Sequence, residues 1–93
     1  MAEYVFNKPV EIDGELREKI NYDLDSITGA DVARAIKELA KNNIIVTIAE
    51  TDQNYHAAIF AIASGIAYED VKRFGLKDYI KVCNIVRDFF LED

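Results

Sequence analysis

The first quarter of the chain alternates apolar and polar residues, which is the pattern of half-buried β-strands. Most even positions are apolar in two runs, 4–12 and 16–24, and Asp13-Gly14 supplies a turn between them. We therefore predict a β-hairpin over residues 4–24. A lone hairpin is only marginally stable in water, so its apolar face needs cover from other elements.

Two registers are compatible with this hairpin. A two-residue loop would pair Val10 with Arg17 and so place an apolar side chain beside a polar one. A three-residue loop over residues 12–14, with the glycine as the left-handed residue of a bulge, aligns the two apolar sets. We predict the three-residue loop on this ground. The pairs that it implies are Val10 with Leu16, Lys8 with Glu18, Phe6 with Ile20 and Tyr4 with Tyr22.

Helical spacing begins at Thr28. Thr28 and Asp31 have the spacing of an aspartate form of the capping box, in which each side chain accepts a hydrogen bond from the other residue's N–H. The apolar residues that follow recur every three or four positions. We predict a helix from Gly29 to Lys41, ended by Asn42-Asn43 because asparagine tolerates the left-handed conformation.

The remaining pattern predicts two longer helices with a short helical turn between them. One helix begins near Thr51 or Asp52 and ends at Gly65, the turn covers 68–74, and the last helix covers 76–91. Residues 44–48 are rich in β-branched side chains and fit either a third short strand or a buried linker. The fold class is therefore α+β, a hairpin packed on three to four helices, with the helical part over 28–91.

Length and composition limit the number of domains and the kinds of partner. The 93 residues suffice for one core, so we expect a single domain over 1–93. Acidic residues outnumber basic ones by 17 to 11, which gives a net charge of −6 and argues against binding to nucleic acid or an anionic membrane. There is no signal-peptide pattern and no apolar run of bilayer length, so we expect a cytoplasmic protein.

The sequence carries few groups for catalysis. The single histidine, His56, is expected on a helix surface or half-buried, and the single cysteine, Cys83, is expected in the core. Three aspartates near the hairpin end lack the spacing of a calcium loop, and capping and solubility explain them better. These are Asp23, Asp25 and Asp31. Without a phosphate-binding glycine loop, a nucleophile elbow or a cysteine pair, we predict no enzyme, cofactor or metal.

The last helix is apolar over more than half of its circumference. So much apolar surface exceeds what one neighbour can cover, and we expect part of it to serve a partner. Aromatic side chains of the two long helices are the candidates, and a place in the core is the alternative for each of them. The predicted partner-binding residues are Tyr55, Phe60, Tyr79, Phe89 and Phe90.

Several segments together resemble the small tail assembly chaperones of tailed bacteriophages and prophages. The shared pattern is a hairpin, a Thr-Gly-x-Asp elbow, a middle helix with tyrosine and glycine, and a closing block that ends in Phe-Leu. The likeness covers about residues 10–91. The matching positions are Ile27-Thr28-Gly29-Ala30-Asp31, Tyr55, Gly65, Glu69-Asp70, Asp78-Tyr79 and Phe90-Leu91.

The resemblance implies a non-enzymatic role in the bacterial cytoplasm. Such chaperones bind the long, apolar tape-measure protein and keep it soluble until the tail tube assembles around it. The implied partners are the tape-measure protein, the tail tube protein and further copies of the chain. A small tail or connector protein retained in the virion, or an acidic inhibitor of a host enzyme, are the alternative functions.

Overall fold

The computed structural model describes residues 1–45 and 52–92, which form an α+β fold as predicted. A two-stranded antiparallel hairpin comes first, and four helices follow it. In chain order the elements are β1 (Ala2–Ile12), β2 (Glu15–Tyr22), α1 (Gly29–Lys41), α2 (Gln53–Ser64), α3 (Tyr68–Lys72) and α4 (Leu76–Leu91).

The hairpin turn has two residues, so the predicted three-residue loop is wrong. Asp13 and Gly14 have φ angles of 53° and 79°, both in the left-handed region. Positive φ at both central residues is the mark of a type I′ turn, whose twist matches that of the flanking strands. Val10 therefore pairs with Arg17, and Leu16 pairs with Glu11 on the opposite face. Leu16 is 71% exposed as a result.

A bulge in β1 shifts the register, so that apolar residues of the two strands are paired near the open end of the hairpin even though the turn has two residues. The register shifts between Val5, which pairs with Lys19, and the Val10–Arg17 pair. Four residues of β1, 6–9, therefore fall between these two pairs, against the single residue Glu18 of β2. Neither Lys8 nor Glu18 has a ladder partner, so the predicted Lys8–Glu18 pair is not formed. The predicted pairs of Phe6 with Ile20 and of Tyr4 with Tyr22 are also replaced, by Tyr4 with Ile20 and Ala2 with Tyr22.

The capping box at the start of α1 is present as predicted. The N–H of Thr28 donates to a carboxylate oxygen of Asp31 at 3.0 Å, and the N–H of Asp31 donates to the Thr28 hydroxyl at 3.3 Å. The helix ends with Asn42 as its C-cap, and Asn43 follows at a φ of 61°. Local signals therefore set both ends of this helix.

Helix α2 is the central element of the fold. It contacts α1, α3, α4 and β2, and each of its residues from 55 to 61 is buried. Asp52 caps its start by accepting hydrogen bonds from the N–H groups of Asn54 and Tyr55, at 2.8 and 3.2 Å. Gly65 ends it in the left-handed conformation. The predicted bounds of this helix are confirmed.

Helix α4 has the predicted bounds, and only part of its apolar surface is buried. Val82, Cys83 and Val86 are buried, whereas Leu76 at its start is 75% exposed. The segment 44–48, for which the sequence left a third strand or a buried linker open, lies mostly outside the described residues. Ile44 and Ile45, which are described, are not in a strand, and the N–H of Ile44 donates to the Leu39 carbonyl at 2.9 Å.

Candidate partner-binding surface

A cleft of about 460 Å³ lies between the open end of the hairpin, the segment after β2 and the last turns of α4. We call it the acidic cleft. Its apolar lining consists of Met1, Ala2, Tyr22, Leu24, Ile85 and Phe89. Its acidic lining consists of Asp23, Asp25, Asp88 and Glu92.

Three elements place these side chains together. Ala2 and Tyr22 are a cross-strand pair, so their side chains share one face of the hairpin. The α4 lining residues lie three and four positions apart, which puts them on one face of the helix. The segment after β2 is held against α2 because the N–H of Asp23 donates to the Ala63 carbonyl at 3.0 Å.

The floor of the acidic cleft is anchored in the core but remains partly accessible. Leu24 is buried, while Tyr22, Ile85 and Phe89 are partly buried and pack against the core. The Tyr22 ring lies 5.3 Å from the Phe60 ring, centroid to centroid. The cleft therefore offers apolar surface on side chains that are already held in place.

The rim of the acidic cleft carries negative charge with little internal compensation. Asp88 pairs with its neighbour Arg87 at 3.2 Å, but both side chains are exposed, so the pair is weak. The other three carboxylates of the rim form no ion pair within residues 1–45 and 52–92. Charges of one sign around a cleft focus the electrostatic potential and attract a partner of opposite charge.

No protein-family model matches the chain, and no curated protein or solved structure matches it. The acidic cleft is therefore assigned on its geometry and charge alone.

The five predicted partner-binding aromatics do not form one surface. Phe89 lines the acidic cleft, whereas Tyr55 and Phe60 are buried in the core, with exposures of 4% and 0%. Phe90 is partly buried and stacks on Tyr55 at a centroid distance of 5.7 Å. Tyr79 is partly buried below the Lys72 ammonium, which lies 5.5 Å from its ring centroid. In this conformation Phe89 is the one of the five that reaches the cleft.

Sequence reasoning missed most of the cleft lining. Tyr22 and Leu24 belong to the alternating pattern of β2, and the aspartates near the hairpin end are visible as a cluster. Nothing in that local pattern shows that the end of α4 packs beside them. The contact joins residues far apart in the chain, and such contacts leave no periodic signal.

Asp78 is a second polar feature that the sequence pattern did not reveal. It is 1% exposed and accepts three hydrogen bonds from β1. The Tyr4 hydroxyl and the Asn7 N–H donate to one carboxylate oxygen at 2.6 and 2.7 Å, and the Lys8 N–H donates to the other at 3.1 Å. Burial alone would raise the pKa of Asp78, but these donors outweigh it and hold the pKa below its ordinary value.

His56 and Cys83 both lie in the core. His56 is 1% exposed, so the prediction of a surface or half-buried position is wrong. Its ring centroid lies 5.9 Å from that of Phe90. Cys83 is also 1% exposed, as predicted, and its Sγ donates to the Gln53 carbonyl at 3.5 Å. Burial raises the pKa of the Cys83 thiol to about 11, which keeps it protonated and unreactive near neutral pH.

The carboxylates near the hairpin end do not form a metal site in the described part of the chain. Asp31, one of the three clustered aspartates, is engaged by Thr28 and by Arg34, whose Nη1 lies 3.1 Å away. Among residues 1–45 and 52–92, no group of three or more His, Cys, Asp or Glu side chains is arranged to hold a metal ion. Within this part of the chain, no helix combines the length and the apolar character needed to cross a bilayer.

Proposed function

We propose that this protein is a tail assembly chaperone of a tailed phage, which binds the tape-measure protein and keeps it soluble until the tail tube assembles. The whole-chain resemblance over about residues 10–91 supports this family of functions. The acidic cleft is the structural feature that carries the binding role, because it offers a partly open apolar floor within a small acidic protein. Association with the tail tube protein and with further copies of the chain stays a prediction.

The acidic cleft suits a carrier for an apolar client. Its floor can cover apolar side chains of a client segment, while the net charge of −6 keeps a loaded complex in solution. Each cleft is small, so a single contact is weak. Several copies bound along one long client would gain avidity from those weak contacts.

Co-expression with a fragment of the tape-measure protein encoded in the same phage genome tests the proposal. We expect the fragment to be insoluble alone and to co-purify from the soluble fraction with this chain. Phe89→Ser removes part of the cleft floor and should return most of the fragment to the pellet. Circular dichroism of the purified variant checks that it is folded.

Leu91→Ser is the matched control. Leu91 is 66% exposed on the last turn of α4 and does not line the acidic cleft. This variant should keep the fragment as soluble as the unmodified chain does. A fragment that stays insoluble with the unmodified chain, with no complex eluting on a sizing column, would overturn the proposed function.

A further inference from the structure

We propose that the acidic cleft binds a cationic amphipathic helix, with the apolar side chains of that helix on the floor and its lysine or arginine side chains beside the rim. The inference rests on the proposed function, because it gives the chemistry of the client segment that the chaperone would hold. The floor, the rim and the size of the cleft each support it.

The floor matches the apolar stripe of a helix. Ile85 and Phe89 lie one helical turn apart on α4, and Tyr22 lies beside them from the end of β2. All three side chains are partly buried, so each keeps some surface for contact. A partner helix presents apolar side chains at the same spacing of three and four residues, and such helices commonly bind in apolar grooves.

The size of the cleft limits how much of the partner enters it. A volume of about 460 Å³ falls within the range of about 300–1,000 Å³ that is typical of small ligand sites. It can take a few side chains but not a whole helix. The bound helix would therefore lie across the opening with its polar face directed away from the floor.

The negative charge of the rim indicates that the partner is positively charged. Asp23 and Asp25 lie on the side formed by the segment after β2. Asp88 lies on the side formed by α4, and Glu92 follows it as the C-cap of that helix. A helix with basic residues on both sides of its apolar stripe complements both acidic sides of the cleft, whereas an acidic helix or a phosphate-bearing surface is repelled.

A pair of synthetic peptides tests this inference on the full chain. Both have about 18 residues, long enough to form a helix, and carry leucines in the same amphipathic pattern. One has lysine at every polar position and the other has glutamate. In fluorescence anisotropy, we expect the lysine peptide to bind and its affinity to fall as salt rises from about 20 to about 150 mM, because salt screens exposed charges. Equal affinity for the two peptides would overturn the inference.

Charge-neutralising variants locate the binding site. Asp25 and Glu92 are both exposed, so the double variant D25N/E92Q should remain folded. It should bind the lysine peptide about fivefold more weakly at low salt, since each exposed charge pair contributes modestly. The double variant E11Q/E69Q removes the same charge at exposed positions outside the cleft and should change affinity little. An equal loss in both double variants would overturn the inference.

The outcomes separate this inference from the proposed function. If the tape-measure fragment is made soluble but the lysine peptide does not bind in the cleft, the chaperone role stands and the cationic partner is wrong. If the peptide binds in the cleft but the fragment stays insoluble, the cleft chemistry stands and the chaperone role is wrong. If the chain dimerises through the cleft and the lysine peptide does not dissociate the dimer in sedimentation experiments, a second copy is the occupant and the inference is wrong.

Discussion

Asp78 is a charged residue at a position that is only 1% exposed, and its donors explain how it stays ionised there. It lies in the first turn of α4, where the helix dipole favours negative charge. All three of its hydrogen bonds come from β1, two of them from the bulged stretch over residues 6–9. Asp78 therefore ties the irregular part of the hairpin to the last helix.

Removing one donor measures the strength of this link. In Tyr4→Phe the ring remains but the hydroxyl that donates to Asp78 at 2.6 Å is lost. A buried hydrogen bond to a charged group contributes about 2 kcal/mol, so the free energy of unfolding should fall by about that amount. Urea denaturation near neutral pH measures it. Tyr22→Phe, on the same hairpin, is the control and should change the stability by less than about 0.5 kcal/mol.

The loss of stability caused by Tyr4→Phe should also depend on pH. The pKa of Asp78 is lower in the folded protein than its ordinary value of 3.8. Its ionised form therefore contributes stability that is complete above about pH 4 and is lost as the pH falls through the folded-state pKa. The difference in the free energy of unfolding between the unmodified chain and Tyr4→Phe should therefore become smaller in strong acid. A difference that stays constant down to about pH 2 would contradict the role given to the Asp78 carboxylate.

Single residues show where sequence reasoning succeeds and where it stops. Cys83 lies on an apolar helical stripe, and its burial follows from that periodicity. Asp78 and His56 are polar, and periodicity assigns polar residues to the surface, yet both are 1% exposed. The donors to Asp78 come from residues more than 60 positions away in the chain. No local pattern encodes such partners.

At the level of the elements, helix ends were predictable because their signals act over a few residues. Thr28 and Asp52 bond to N–H groups within three positions, and Gly65 takes the left-handed conformation where it stands. The hairpin register was predicted wrongly, because it depends on the turn type and on a bulge at residues 6–9. Asp13-Gly14 is a strong signal for a two-residue turn, and the simple alternation of the strands conceals the bulge that makes this turn compatible with the core.

The end of α2 provides a test at this scale. Gly65 has a φ of 74°, where a side chain is strained even though no neighbouring atom lies within 4 Å of an added Cβ. Gly65→Ala should therefore destabilise the fold by about 1 kcal/mol. For a domain of this size that corresponds to a fall of about 4–8 °C in the thermal midpoint, measured by circular dichroism.

Gly29→Ala is the matched control for the same substitution. Gly29 begins α1, has no positive φ and also has open space around an added Cβ. The alanine variant should match the unmodified chain or exceed its stability by up to about 1 kcal/mol, because alanine restricts the unfolded chain. A Gly65→Ala variant as stable as Gly29→Ala would show that the left-handed helix end contributes little.

At the scale of the whole molecule, the position of α2 decides which aromatics stay accessible. Because α2 contacts three helices and β2, its aromatic residues Tyr55 and Phe60 are enclosed. Helix α4 lies at the edge and keeps Tyr79, Phe89 and Phe90 partly buried. The excess of apolar surface on the last helix was predictable from the sequence. Its placement beside the hairpin end, which makes the acidic cleft, depends on tertiary packing.

The proposed chaperone role places the client in the acidic cleft. Besides Met1 and Ala2, two separate stretches of the chain line the cleft, residues 22–25 and residues 85–92. A bound client would exclude solvent from both stretches and slow the opening of their backbone amides. The outer face of the hairpin around Leu16 lies outside the cleft and serves as the internal reference.

Hydrogen–deuterium exchange, measured on the complex with the tape-measure fragment and on the free chain, shows where the client binds. We expect slower exchange in 22–25 and 85–92 together, with little change around Leu16. Protection confined to other parts of the chain, or exchange identical to that of the free chain, would show that the cleft does not hold the client.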